Sequence, residues 1–174
     1  MTTAWREEPI ARAHDRQFFD CGDAAMNDYL RRYARQSHEQ NAAKTFGAID
    51  VTNPERMLGF YTVTPSAVAH ADVPPAITRG LAQHEVAGFK LARLAVDVGV
   101  AGRGLGGQLL ATAALRCLRI ADEVGGTLLI IDAESERAAA WSAGYGAEPL
   151  RDRALTLVMP LATFAADLKA KGLV

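Results

Sequence analysis

Gly102-Arg103-Gly104-Leu105-Gly106-Gly107 places four glycines and an arginine within six residues. Residues of these types suit an anion. Glycines let a phosphate approach the backbone closely, and Arg103 adds a guanidinium in the middle of the turn. The stretch from Lys90 to Val124 supplies the elements that must position them. Lys90 to Val96 is apolar and ends in Leu94-Ala95-Val96, which predicts a buried strand. After the glycines, Leu110, Ala113, Ala114, Cys117, Ala121 and Val124 recur at three- and four-residue spacing, one face of a helix that Gly125-Gly126 stops. A helix that opens on such a turn presents free N–H groups and partial positive charge. The turn therefore reads as a pyrophosphate cradle. A plain strand-to-helix turn would need fewer glycines.

GRGLGG also satisfies the dinucleotide fingerprint G-x-G-x-x-G, a weak match by itself. Asp97 to Ala101 intervene between strand and turn, and the turn lies past the midpoint of the chain. The acidic residues about twenty positions on, Asp122 and Glu123, fall in the helix rather than after a second strand. A Walker loop is excluded, because no Gly-Lys-Ser/Thr follows.

RLAVD followed by a short loop and GRGLGGQLL resembles the acetyl-CoA-binding core of the GNAT N-acetyltransferases, whose pattern is Q/R-x-x-G-x-G/A. Gly104 and Gly106 match its two glycines, and Ala101 stands where Gln or Arg is usual. The resemblance implies an α/β (α+β) fold: a central, mixed, mostly antiparallel sheet with a splayed strand pair, flanked by helices. It implies acetyl-CoA as co-substrate and no metal. Leu94, Ala95 and Val96 would pair with the pantetheine arm, and Ala101, Gly102 and the amides of Arg103, Gly104, Leu105, Gly106 and Gly107 would hold the phosphates. A neutral amine would attack directly, with the Val96 N–H polarising the acetyl carbonyl.

FDCGDAAMNDYLRRYARQ, LGFYTV, KLARLAVD, AAWSAGYGAEPL and ALTLVMPL follow in an order similar to the acetyltransferase toxins of bacterial toxin–antitoxin modules. That branch implies the amino group of a charged transfer RNA as acceptor, a ribbon–helix–helix antitoxin as partner, and a homodimer. The toxins carry F/W-Y-x-x-F/Y-G, whose tyrosine is the general acid. The matching segment here runs from Trp141 to Gly146, with Ser142 at the tyrosine position. A serine hydroxyl is shorter and a poorer proton donor than a phenol. Tyr145 lies three residues on; it aligns with the structural Phe/Tyr and is the alternative donor. Arg93, beside the presumed catalytic strand, is a candidate for contact with the acceptor. Two other readings stand beside the toxin-like one: a GNAT acting on a small-molecule or protein amine, and a catalytically weakened acetyl-CoA-binding protein.

Composition bounds these readings. With 174 residues, 49% hydrophobic and 22% charged, the chain suits one domain, residues 1–174, and not disorder. Cys21 and Cys117 give neither a disulfide framework nor a metal spacing. The N-terminus is charged where a signal peptide needs an apolar run, and no stretch approaches membrane length. A cytoplasmic protein is expected. The net charge of −1 argues against a uniformly basic, RNA-binding surface. A local patch of Arg31, Arg32, Arg35 and Arg93 is the form such a surface would take.

The remaining elements follow from pattern. Glu8 to Ala13 predicts a short first strand, and Asp23 caps a helix with the stripe Met26, Tyr29, Leu30 and Tyr33. Thr45–Val51 and Met57–Val63 predict a hairpin through Asn53-Pro54-Glu55-Arg56. Pro74-Pro75 opens a short helix through Ile77 and Leu81. Thr127–Ile131 is a strand parallel to Lys90–Val96, and Ser135 caps a helix to Ala143. Leu155–Met159 is a last strand, and Leu161–Leu168 a tail helix. His70, His84, Asp132 and Glu134 are the candidate bases, each more readily an ordinary loop residue.

Overall fold

The computed structural model describes residues 3–170. Among the described residues, seven strands lie in the order β1-β2-β3-β4-β5-β7-β6. They are β1 (Trp5–Pro9), β2 (Lys44–Asp50), β3 (Met57–Val68), β4 (Val86–Val96), β5 (Leu128–Asp132), β6 (Glu148–Leu150) and β7 (Arg153–Pro160). β4 and β5 pair in parallel; β1 with β2, β2 with β3, β5 with β7 and β6 with β7 pair antiparallel. This is the mixed, mostly antiparallel sheet flanked by helices that the resemblance implied. The chain forms two compact units, Met1–Thr64 with Arg93–Ala113, and Pro65–Ala92 with Ala114–Val174.

In the first unit, helix α1 (Ala24–Arg32) starts where expected, with the Asp23 carboxylate accepting from the N–H groups of Ala25 and Met26. It ends earlier than its stripe suggests. Tyr33 leaves helical register, and a second helix, α2 (Ala34–Glu39), begins at once. The break turns Tyr33 outward, 52% exposed, and seats Ala34 in the core instead. Met26, Leu30 and Ala34 pack with Phe19, Ile49, Met57 and Phe60. The rings of Phe19 and Phe60 meet edge to face at 5.5 Å.

The first strand lies at Trp5–Pro9 rather than Glu8–Ala13. Its register runs from Trp5 opposite Asp50 to Pro9 opposite Phe46. The chain then turns back, because the Ala11 N–H donates to His14 Nδ1 at 3.1 Å and the His14 N–H to the Ala11 carbonyl at 3.2 Å. An edge strand tolerates Pro9, whose missing N–H breaks no ladder bond. The β2–β3 hairpin forms as expected. Its register shifts between Ala48, opposite Gly59, and Ile49, opposite Met57, so Leu58 is the extra residue of a bulge.

The second unit packs Val68, Val73, Val86, Leu128, Ile130, Leu150 and Val158 into its own core. Leu128 to Ile131 are all buried, as suits a strand covered on both faces. Helix α3 (Pro75–Thr78) stops before Leu81, because Arg79 is extended and Gly80 takes a φ of +82°. Ile77 and Leu81 still pack against the core. Helix α5 (Glu136–Ala143) is capped by Ser135, whose hydroxyl accepts the Ala138 N–H at 3.1 Å. The short strand β6 has no counterpart in the sequence pattern. Pro149 sits within it at an outer position of the sheet. A tail helix, α6 (Leu161–Ala170), closes the described chain.

Candidate active site

The stretch singled out in the sequence forms the elements expected of it. β4 runs to Val96, a short 3-10 turn spans Val98–Val100, and helix α4 (Leu105–Val124) follows the glycines. Gly102 and Gly104 take φ values of +76° and +86°, which only glycine adopts without strain. A side chain at either would meet nothing within 4 Å, so backbone conformation, not crowding, demands these two glycines. The first intrahelical bond of α4 is Gln108 N–H to the Gly104 carbonyl at 3.2 Å. The N–H groups of Leu105, Gly106 and Gly107 precede it and are free of the helix ladder. Twenty aligned peptides stand behind that N-terminus, with the Arg103 side chain exposed beside it.

Helix α4 buries Leu110, Ala113, Ala114 and Cys117 completely, together with Leu109. Val124, the last residue of the expected face, is 73% exposed, because the helix ends there. Burial pushes the Cys117 thiol up to about 12 and makes it a core residue.

Along β4, the parallel ladder with β5 covers Gly88 to Leu91. The strand then continues through Arg93, Leu94, Ala95 and Val96. Ala95 faces the core, while Leu94 and Val96 are half-buried on the opposite side of the strand. At Gly59 an added Cβ would sit 2.9 Å from the Ala95 carbonyl and 2.8 Å from Leu109 Cδ1, so only glycine fits behind this strand.

Arg93 lies over the Tyr29 ring, its guanidinium carbon 4.1 Å from the centroid. The other three arginines of the expected patch also have partners. Arg31 donates to the carbonyls of Arg16, Gln17 and Phe19. Arg32 pairs with Asp28 at 2.8 Å and Arg35 with Glu39 at 2.6 Å. Arg31 thus acts as a buttress for the 16–19 segment. Beside the glycine turn, Trp5, Leu58, Val100, Arg103 and Leu105 line a small cleft, where the Trp5 indole donates to Gln108 Oε1 at 2.7 Å. Pattern reading missed Trp5 and Gln108, which are 103 residues apart.

In the second unit, Ser142 is buried, 3% exposed, and its carbonyl accepts the Tyr145 N–H at 3.0 Å. Tyr145 is 44% exposed. Asp132 is engaged by Lys90 at 3.5 Å. His70 opens a 3-10 turn, and His84 is exposed in the loop that follows α3. Among the described residues, no group of three or more His, Cys, Asp or Glu side chains could hold a metal ion, and no helix is long and apolar enough to cross a membrane.

Comparison with known proteins places this arrangement. No family model matches the chain. A tRNA-acetylating toxin of Mycobacterium tuberculosis (strain ATCC 25618 / H37Rv) is 37% identical over 133 residues, 76% of this chain and 77% of that one. A probable toxin TacT of Sinorhizobium fredii (strain NBRC 101917 / NGR234) is 24% identical over 165 residues, 90% of this chain and 91% of the relative. Among solved structures, a tyrosine-to-phenylalanine mutant of KacT superposes with a TM-score of 0.87 at 25% identity, covering 93% of this chain and 98% of that one. AtaT complexed with acetyl-methionyl-tRNAfMet does so with a TM-score of 0.88 at 24% identity, over 95% and 99%. With the glycine turn, the strand before it and the sheet order in hand, the chain belongs to the family of the tRNA-acetylating toxins, N-acetyltransferases of the GNAT fold that use acetyl-CoA.

Proposed function

We propose that this chain moves an acetyl group from acetyl-CoA to the α-amino group of an aminoacyl-tRNA. The observation that carries the reading is the 37% identity to a tRNA-acetylating toxin across three quarters of the chain. Acetyl-CoA, when bound, supplies a thioester open to attack by a neutral amine, with CoA thiolate as leaving group. The residues present fit it. The open space over Gly102 and Gly104 and the unladdered N–H groups that open α4 suit a diphosphate. Arg103 to Gly107 hold the phosphates, and Leu94, Ala95 and Val96 offer backbone groups to the pantetheine arm. The Val96 N–H donates to the acetyl oxygen, where it favours the charge that develops on attack. Holding both reactants in line supplies much of the remaining acceleration. Arg93, kept in place by Tyr29, faces the acceptor.

By its place in the sequence, Ser142 occupies the position of the family's acid, and Tyr145 is the nearest phenol. A thiolate leaves tolerably without an acid, so the substitution slows transfer rather than abolishing it. The protein is cytoplasmic, acts as a homodimer and as one catalytic domain, and is held inactive by a ribbon–helix–helix antitoxin. An AtaT mutant bound to the C-terminus of the antitoxin AtaR supports a protein partner. A second reading, a small-molecule or protein amine as acceptor, is favoured by the net charge of −1 and by the internal partners of Arg31, Arg32 and Arg35.

The test is incubation with labelled acetyl-CoA and a pool of charged transfer RNAs, with Ser142→Tyr in parallel. Label on the aminoacyl group from the unmodified protein is the expected result, with faster transfer by the variant. Label from the variant alone would mark this chain as a disabled copy. No label from either would move the acceptor to another amine.

A further inference from the structure

The FDCG residues, Phe19 to Gly22, have no part in the mechanism above. Asp97 gives them one. It follows Val96 directly, and its carboxylate is buried, 7% exposed. Both oxygens are used: Oδ2 accepts the Asp20 N–H at 3.0 Å, and Oδ1 accepts the Gly99 N–H at 2.8 Å. Its own N–H donates at 2.8 Å to the carbonyl of Leu58, the bulged residue of β3. The next residue closes the loop, since the Val98 N–H donates to the Asp20 carbonyl at 2.8 Å.

Asp20 is in turn held from the other side. Its Oδ1 accepts from the Gly22 N–H at 2.8 Å and from Asn27 Nδ2 at 2.9 Å. Asn27, buried in α1, accepts the Cys21 N–H at 2.9 Å through its own Oδ1. Hydrogen bonds therefore run from α1 through the FDCG turn to the residue after Val96. A buried carboxylate is costly wherever an apolar residue would serve, so two spent acceptor bonds at this position call for a reason.

We propose that Asp97 is a positioning residue for acetyl transfer: through Asp20, Gly99 and Leu58 it clamps the end of β4 and keeps the Val96 N–H aimed at the acetyl oxygen. The proposal rests on the reading of Val96 given above. Small displacements of such a donor cost large factors in rate without loss of binding.

Asp97→Asn tests it, because an amide oxygen can serve one of the two N–H donors while its NH2 confronts the other. Thr62→Val, which breaks the buried Thr45–Thr62 hydroxyl pair of 2.7 Å in the same unit, is the stability control. The readouts are kcat and KM for acetyl-CoA on charged transfer RNA, the melting temperature, and amide hydrogen exchange at Val98 and Gly99. In Asp97→Asn, kcat falls about tenfold or more while KM for acetyl-CoA stays within about threefold, and both amides exchange faster. Thr62→Val keeps the wild-type kcat despite its stability loss. An Asp97→Asn kcat within about twofold of wild type, or an equal kcat loss in Thr62→Val, overturns the proposal. Should the wild-type chain acetylate no transfer RNA, the acceptor reading fails by itself and exchange decides the clamp. Faster exchange at Val98 and Gly99 then supports it, and unchanged exchange overturns it. Asn27→Ala loosens the same turn without touching Asp97 and serves if Asp97→Asn does not fold. A lower kcat at constant KM supports the clamp, and an unchanged kcat overturns it.

Discussion

The rings of Trp141 and Tyr145 meet edge to face, 4.9 Å between centroids, on either side in sequence of the buried Ser142. Such a pair is worth about 0.5–1.5 kcal/mol beyond its buried area, and it needs the ring of Tyr145 rather than its hydroxyl. Tyr145→Phe should leave the unfolding midpoint unchanged, whereas Tyr145→Ala should lose that amount. If no phenol acts as acid, Tyr145→Phe also keeps the transfer rate within about twofold. A drop on the order of 10²–10⁴ would assign the acid to Tyr145.

Gly88 and Gly102 are glycines for different reasons, and substitution should separate them. An alanine Cβ at Gly88 would run into the Leu128 carbonyl, where the parallel β4–β5 ladder begins. Backbone cannot yield as a flexible side chain does, so Gly88→Ala should cost about 3 kcal/mol or more in urea unfolding. Gly102→Ala meets nothing within 4 Å and pays only for its φ of +76°. It should cost about 1–2 kcal/mol and act chiefly through a weaker acetyl-CoA complex, measured by titration calorimetry.

His38 should make the first unit sensitive to mild acid. Its Nδ1 accepts the Thr45 N–H at 3.0 Å, and its ring meets Phe46 edge to face. Burial, reinforced by Lys44, holds its pKa below the ordinary value of 6.5. Between the ordinary and the lowered value the unfolded chain binds the proton and the folded chain does not. Stability is therefore full above about 6.5 and falls as pH drops through that window. His38→Asn offers an acceptor that does not titrate. Denaturation at pH 7.5 and pH 5.5 should show a smaller loss in the variant than in the wild type.

The two cysteines should react very differently. Cys117 is fully buried with its thiol pushed up to about 12, whereas Cys21 is half-buried near the start of α1. At pH 8 a thiol-disulfide reagent should modify one cysteine of the folded protein, Cys21, and both after unfolding. Rapid labelling of Cys117 in the folded state would mean that α4 opens readily.

Much of the framework of the candidate site was legible because its signals are local. Positive φ at Gly102 and Gly104, the N-caps Asp23 and Ser135, and the apolar face from Leu110 to Cys117 each depend on residues within a turn or two. The order of strand, glycine turn and helix was readable for the same reason, and its likeness to the GNAT core named the fold. The misjudged boundaries are those where neighbours had no vote. β1 settled on Trp5–Pro9 because β2 offers its edge there, and helix α1 broke at Tyr33 so that Ala34 could be buried.

What only the tertiary structure decided is which groups meet across long separations. Asp97 binds the Asp20 N–H over 77 residues, and Trp5 reaches Gln108 over 103. The four arginines of the apparent basic patch turned out to be partnered, Arg31 by backbone carbonyls that no charge count reveals. The sequence by itself determined the order of strand, glycine turn and helix, written into glycine placement and helix periodicity, and its likeness to the GNAT core carried the fold and acetyl-CoA. The tertiary structure decided what meets the end of β4, because a buried carboxylate such as Asp97 shows its partners only once its hydrogen-bond donors are in place.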